Sequence, residues 1–199
     1  MGTRGTYGIR KNGIDKLTYN HFDSYPDGLG RDTLEFLTLF GTENLHRFYD
    51  SIILVEENSE PTEEQIAYCK ENGFCDFSVS SRDEKDWYCL VRNLQGNFDK
   101  YRELVNDDKK IYMTNGNDFI KDSLWCEYGY IINLDDEVLE FYKGFQKYPQ
   151  NGNRYGTEKY YKDYYPCKMV FKIPLSEIEN VDEIVNMMNG EEEEDIPKF

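Results

Sequence analysis

The densest group of chemically capable side chains lies in Tyr19-Asn20-His21-Phe22-Asp23-Ser24-Tyr25-Pro26, where six of eight residues carry a hydrogen-bonding polar group. In an extended strand His21 and Asp23 project from the same face about 7 Å apart. A carboxylate at that spacing can orient an imidazole and stabilise its charged form, and Ser24 or a neighbouring strand can supply a nucleophile. Asn12-Gly13 upstream is a hairpin signal, and a turn there sets Thr3 and Arg4 opposite residues 20–22. Thr3, Arg4, Asn20, His21 and Asp23 are therefore expected at one end of a sheet. In that arrangement His21 is the acid/base and Asp23 its orienter, and Arg4, Asn20, Ser24 and Tyr25 contact substrate. The plainer alternative is that Asp23 and Ser24 cap a turn.

A second group lies in residues 143–165, where Lys147, Arg154, Lys159 and Lys162 are interleaved with tyrosines. Basic residues among aromatics bind nucleotides by stacking plus charge, which makes Arg154 and Tyr155 candidate ligand contacts. A Tyr-rich loop that packs over a sheet without binding anything is the other reading. No phosphate-binding glycine motif is present. No motif selects partners that would complete a metal site with His21 and Asp23, so neither metal nor cofactor is expected. His46 falls within a predicted helix and reads as an ordinary half-exposed residue.

These groups need a scaffold. Residues 3–10 and 15–22 read as an antiparallel hairpin, followed by a turn-rich loop over 24–30. A helix or two short ones cover 32–50, with Gly41 as the break, and Ile52 to Val55 is a short apolar run. Thr62 with Gln65 forms a capping box for a helix over 63–72, stopped by Gly73. Residues 84–105 read as an amphipathic helix interrupted near Gly96. A second hairpin joins 125–133 to 138–142, a strand runs over 168–173, and a helix over 180–189 stops at Gly190. This order predicts the α+β class, with antiparallel sheet and packed helices, as one domain over 1–189 and an acidic tail over 190–199.

The net charge of −16 argues against direct binding of nucleic acid or anionic membrane. From Pro174 to Phe199 there are nine acids and one Lys, a net −8, half of the total imbalance. That concentration suggests an alternative function, an interaction protein whose acidic surface binds a basic partner as a nucleic-acid mimic does. The five cysteines form no C-x-x-C pair, and no apolar run marks a secretory signal or a membrane span. Free, mostly buried thiols in the cytoplasm are expected.

The start, Met1-Gly2-Thr3-Arg4-Gly5 leading to Tyr19-Asn20-His21-Phe22-Asp23-Ser24-Tyr25-Pro26, resembles that of a family of bacterial and viral proteins of unassigned activity. More remotely, it is similar to N-terminal-nucleophile hydrolases of the choloylglycine hydrolase and class II amidotransferase kind. In those, a nucleophile follows the initiator Met on the first strand, and a second strand ends in a polar motif. Asn20 and Asp23 match that motif, and Arg4 matches an Arg close behind the nucleophile. The resemblance implies a hydrolase-like fold with a small-molecule or amide-processing cleft at residues 3–25. Gly2 stands where the nucleophile is expected, so Thr3 takes that role only in a chain that begins at Thr3, because the chemistry uses the free α-amine as base. A nucleotide-sequestering role through the 147–165 loop is the third reading.

Overall fold

The computed structural model describes residues 2–79 and 85–194, the last four of these as backbone only. Two compact units are formed, one from residues 1–42 with 116–199 and one from residues 43–115.

The first unit is built on a five-stranded sheet in the order β2-β1-β5-β6-β7. Strands β1 (Gly5–Lys11) and β2 (Ile14–Asn20) are the expected hairpin, pairing Gly5 with Asn20 and Lys11 with Ile14. Asn12 (φ 54°) and Gly13 (φ 76°) both take the left-handed conformation that a two-residue hairpin turn requires. The carboxylate of Asp135 accepts from both of their N–H groups, at 2.6 and 2.8 Å. β5 (Tyr128–Asn133) and β6 (Val138–Lys143) form the second expected hairpin, and β7 (Lys168–Pro174) lies antiparallel to β6. One pairing departs from the antiparallel expectation. β1 runs parallel to β5, Gly5 beside Tyr128 and Ile9 beside Ile132, so the sheet is mixed.

Alternation along the strands gives the sheet two different faces. Tyr7, Ile9, Tyr128, Tyr130, Ile132, Leu139 and Phe141 share one face. The Phe141 ring lies 5.6 Å from Tyr130 and 5.2 Å from Phe171 on β7. Here the chain turns through Pro26–Gly30 into α1 (Arg31–Phe40), which packs with α6 (Val181–Glu194). Gly30 sits directly against the Tyr130 ring, where a Cβ would lie 2.9 Å from a ring carbon. The opposite face carries Leu17, Ile131 and Tyr142, covered by Ile120, Cys126, Tyr155 and Cys167 from irregular segments. The Tyr-rich loop is thus partly a lid on this face. Cys167 donates to the carbonyl of Cys126 at 3.3 Å, and burial pushes the Cys126 thiol up.

Helix α6 overrides its expected stop. It continues through Gly190 to Glu194, because one glycine in a helix costs only about 1 kcal/mol relative to Ala. Residues 195–199 of the expected acidic tail lie outside the described residues.

The second unit contains a parallel pair, β3 (Ile52–Val55) with β4 (Ile111–Thr114), and four helices: α2 (Thr42–Ser51), α3 (Glu63–Glu71), α4 (Trp87–Leu90) and α5 (Phe98–Asn106). Gly41, at φ 73°, divides α1 from α2 as expected. The capping box is present, with Gln65 N–H bonded to Thr62 at 3.2 Å and Thr62 N–H to Gln65 at 2.8 Å. The span expected as one interrupted helix is two helices separated by a single tight turn and Gly96, with Asp86 and Asn97 as caps. Its residue 84 lies outside the described residues. Tyr112 of β4 packs between Trp87 and Tyr68. Cys69 is fully buried, and burial pushes its thiol up to about 12. All five cysteines are free, and four are buried. Among the described residues no helix is long and apolar enough to cross a membrane.

Two glycine substitutions check this architecture in opposite directions. At Gly8, between β2 and β5, a Cβ would collide with the carbonyl oxygen of Lys16. Gly8→Ala should therefore lower stability by about 1–3 kcal/mol, read as a lower urea midpoint at unchanged slope. Gly190→Ala meets open space on an exposed helical position and should raise stability by about 0.5–1 kcal/mol, a gain that vanishes if the helix ends before it.

Candidate functional site

β1 begins where β2 ends, and the polar residues gather at this end of the sheet. Asn20 closes β2, and its amide donates to the carbonyl of Phe22 and to the Ser24 hydroxyl, the latter at 2.9 Å. Ser24 N–H donates to the Thr3 carbonyl at 3.3 Å, and Tyr130 Oη donates to the Ser24 carbonyl at 3.0 Å. Ser24 is wholly buried against Gly5, where a Cβ would lie 2.7 Å from its own, and Thr3 is also buried. Thr3, Asn20 and Ser24 therefore meet, but inward, each helping to hold the turn from β2 toward α1.

His21 and Asp23 are not disposed as strand neighbours, because β2 ends at Asn20 and the alternation does not extend to them. Asp23 takes φ 52°; its carbonyl accepts from Leu29 N–H at 2.9 Å, and its exposed side chain lies over Gly28. The imidazole of His21 is half-buried, its Nδ1 2.6 Å from Tyr19 Oη. Its orienting partner is thus a phenol on the preceding strand. The Tyr19 ring in turn meets the edge of Phe119 at 4.9 Å.

Arg4 lies next to this turn. Its backbone N–H donates to the Glu127 carboxylate at 3.2 Å and its carbonyl accepts from Glu127 N–H at 2.9 Å, which aligns residue 4 with the start of β5. Its guanidinium lies over Trp125, 4.9 Å from the ring centroid. Tyr25 is half exposed, its ring 5.9 Å from Tyr128.

Two residues at this end escape sequence reading. Trp125 stands on a turn whose N–H groups at 125 and 126 bond to the Asp122 carbonyl. Burial raises the Asp122 carboxyl, partly offset by bonds from Leu124 and Trp125 N–H. Phe145 follows β6 at φ 58°, a conformation an aromatic residue seldom adopts. It is held there by its own N–H to the Ser123 carbonyl at 2.6 Å, Gln146 N–H to Ser123 Oγ at 3.0 Å, and Gly144 N–H to the Glu127 carbonyl at 2.8 Å. Gly144 has no substitute there, since a Cβ would run into the carbonyl of Cys126. Trp125 is 43% and Phe145 54% exposed, and Phe22, which follows β2 at the same end of the sheet, is 56% exposed. Their only signal in the sequence is aromatic residues next to turn residues, a pattern that does not set them apart from the other aromatics of this chain.

Arg154 and Tyr155 belong to the opposite end of the sheet. Glu140 on β6 is 1% exposed and is forked by Arg154, Nη1 to Oε1 at 2.7 Å and Nη2 to Oε2 at 2.6 Å. Asn133 and Tyr142 donate to the same carboxylate at 2.9 and 3.0 Å. Arg154 also donates to Tyr155 Oη at 2.9 Å, which donates to Asp15 of β2 at 3.2 Å; Asp15 pairs with Arg10 of β1 at 3.0 Å. Burial works to raise the Glu140 carboxyl, but the bonds from Arg154 and Asn133 outweigh it and hold it below its ordinary value. Burial pushes the Tyr142 and Tyr155 phenols up, so both stay protonated. The loop's other cations are engaged locally, Lys147 over Tyr164 at 3.4 Å and Lys159 with Asp163 at 2.9 Å. His46 is exposed on α2. Among the described residues no three His, Cys, Asp or Glu side chains are grouped to hold a metal ion.

No protein-family model matches the chain, and no curated protein or solved structure matches it.

The fork on Glu140 has a measurable acid signature. A carboxyl depressed in the folded state adds stability that is present above its unfolded value and lost as pH falls through the folded one. Glu140→Gln should therefore lose less stability than wild type between pH 6 and pH 3, measured by urea midpoints. Arg154→Met leaves a buried carboxylate uncompensated and should cost about 3–5 kcal/mol at pH 7, whereas Arg154→Met with Glu140→Leu should recover most of that loss.

Proposed function

We propose that this chain is a hydrolase-like domain that binds a small organic molecule at the end of the sheet where β1 begins and β2 ends, and that it binds without turning over. The observation that carries the reading is that Phe22, Tyr25, Trp125 and Phe145 are all exposed at the end of the sheet that also carries Arg4 and His21, on backbone pinned by hydrogen bonds. Large apolar side chains held outward on rigid backbone favour contact with a partner, since they gain area without an ordering cost on binding. Phe145 at positive φ fits the tendency of strained residues to cluster at functional sites. Arg4 and His21 supply polar contacts, with His21 Nδ1 bonded to Tyr19 Oη.

Binding is favoured over hydrolysis by what the hydroxyls do. Those of Thr3 and Ser24 are buried, and Ser24 Oγ already accepts from Asn20. A nucleophile must be presented to substrate with its base in reach. Gly2 also fits closely under Phe22, where a Cβ would lie 2.6 Å from the ring.

Of the two tryptophans, Trp87 is buried and Trp125 exposed, so Trp125 reports on the site. Titration with 3-phenylpropionamide should quench the exposed component of the emission, the Trp125→Phe variant should lose the response, and chromatography should find the amide intact. The intact mass of natively expressed protein should retain Gly2. A chain beginning at Thr3, together with amide cleavage abolished by Thr3→Ala, would establish hydrolysis instead.

A further inference from the structure

We infer that the ligand of this end of the sheet carries a carboxylate beside an aromatic ring, the carboxylate held by Arg4 and the ring stacked among Trp125 and its exposed neighbours. The inference rests on the binding reading above and adds the chemical class. Its basis is a difference among arginines. Arg10, Arg31, Arg47, Arg102 and Arg154 each face an aspartate or glutamate, at 3.0, 2.7, 2.7, 3.4 and 2.6 Å, and Arg92, over the Tyr88 ring, donates to the side-chain oxygen of Gln95. Arg4 instead lies over the Trp125 ring, and among the described residues no carboxylate is within ion-pair range of its guanidinium. In a chain with 39 acids against 23 Lys and Arg, a carboxylate partner is abundant, so an arginine left without one is informative. The nearest acid, Glu127, is directed elsewhere, accepting from the backbone N–H of Arg4.

Contact with the Trp125 ring anchors the guanidinium, and a planar guanidinium can receive a carboxylate through two parallel bonds. The ring that holds Arg4 is itself 43% exposed, with Phe145 raised from the adjoining pinned loop. A cation and aromatic surface side by side match a molecule that is apolar at one end and anionic at the other. The negative charge of the whole protein slows approach of such a molecule but is screened beyond about 10 Å at 0.1 M salt, so a contact pair at Arg4 survives it. The shared chemistry could be presented by a free aromatic acid or by a peptide ending in an aromatic residue.

Matched probes separate these points. Quenching of Trp125 should show 3-phenylpropionate binding at least about tenfold more tightly than 3-phenylpropionamide at 50 mM salt, the increment of one charge-assisted contact. Arg4→Gln, with an unchanged urea midpoint as the check on folding, should collapse that difference, and raising the salt should narrow it in wild type. Gly-Gly-Phe with a free terminus, compared with its amidated form, tells the sources apart: a preference for the free-terminus peptide over 3-phenylpropionate assigns a chain terminus, and the reverse assigns a small acid. Equal binding of acid and amide would overturn the carboxylate inference while leaving the site in place. Absence of any Trp125 response to all four probes at millimolar concentration would remove the site itself.

Discussion

A carboxylate buried in the middle of a sheet is tolerable only if something answers its charge, and in this chain that constraint organises a whole unit. Glu140 stands on β6 among apolar neighbours, and an isolated ionised carboxyl there would cost many kcal/mol. Arg154 answers it from a segment with no regular structure, and must cross the sheet face to do so. In crossing, it places Tyr155 onto Asp15 and so joins β6 to β2, where Arg10 of β1 pairs with the same aspartate. The apolar layer of Cys126, Ile120, Tyr142 and Cys167 is covered by the same loop. A buried ion pair of this kind adds little net stability over apolar residues, but it penalises every arrangement in which the loop is elsewhere. Its contribution is to specificity of packing more than to stability.

That network sets up a contrast between the two ends of the sheet. At the end with Asp15, Asn133 and Arg154, the carboxylates of Asp15 and Glu140 are paired with Arg10 and Arg154, and the Tyr142 and Tyr155 phenols each have a carboxylate acceptor. At the end where β1 begins, the backbone is equally well bonded, yet aromatic side chains point into solvent and one guanidinium rests on a ring instead of a carboxylate. Rigid backbone combined with unsatisfied side-chain surface is what a binding site needs, because ordering costs are met in folding and not on association.

Much of the local structure was legible. Asn12-Gly13 announces the first hairpin because only residues at ease with positive φ suit that turn, and Thr62 with Gln65 announces α3 because reciprocal capping has a fixed spacing. Free thiols followed from cysteine spacing. The parallel pairing of β1 with β5 was not legible, since the two strands lie more than a hundred residues apart and Tyr128 to Asn133, buried on both faces, matches the antiparallel hairpin equally well. β4 is four residues long and follows a charged turn, too short to show a period. The reach of α6 past Gly190 reflects a small local penalty outweighed by the turns on either side.

The candidate site shows the limit of spacing arguments. Of Thr3, Arg4, Asn20, His21 and Asp23, expected at one end of the sheet, Thr3 and Arg4 lie beside the end of β2 because hairpin register pairs Gly5 with Asn20. Their orientation was not fixed by register. Once β2 ends, each later residue is directed by the hydrogen bonds of the turn, so Asp23 swings over Gly28 and Ser24 turns inward, while His21 falls to Tyr19 two residues back. Trp125 and Phe145 are exposed for the converse reason. The backbone bonds that pin Ser123, Gly144 and Gln146 to one another leave these rings no interior to enter. A polar motif thus became scaffold and two unremarked aromatics became surface, an inversion that follows from the energetics of tight turns. Small polar side chains satisfy turn backbone at short range, and bulky ones cannot, so the hydroxyls and amides are consumed by the fold and the rings remain at the surface.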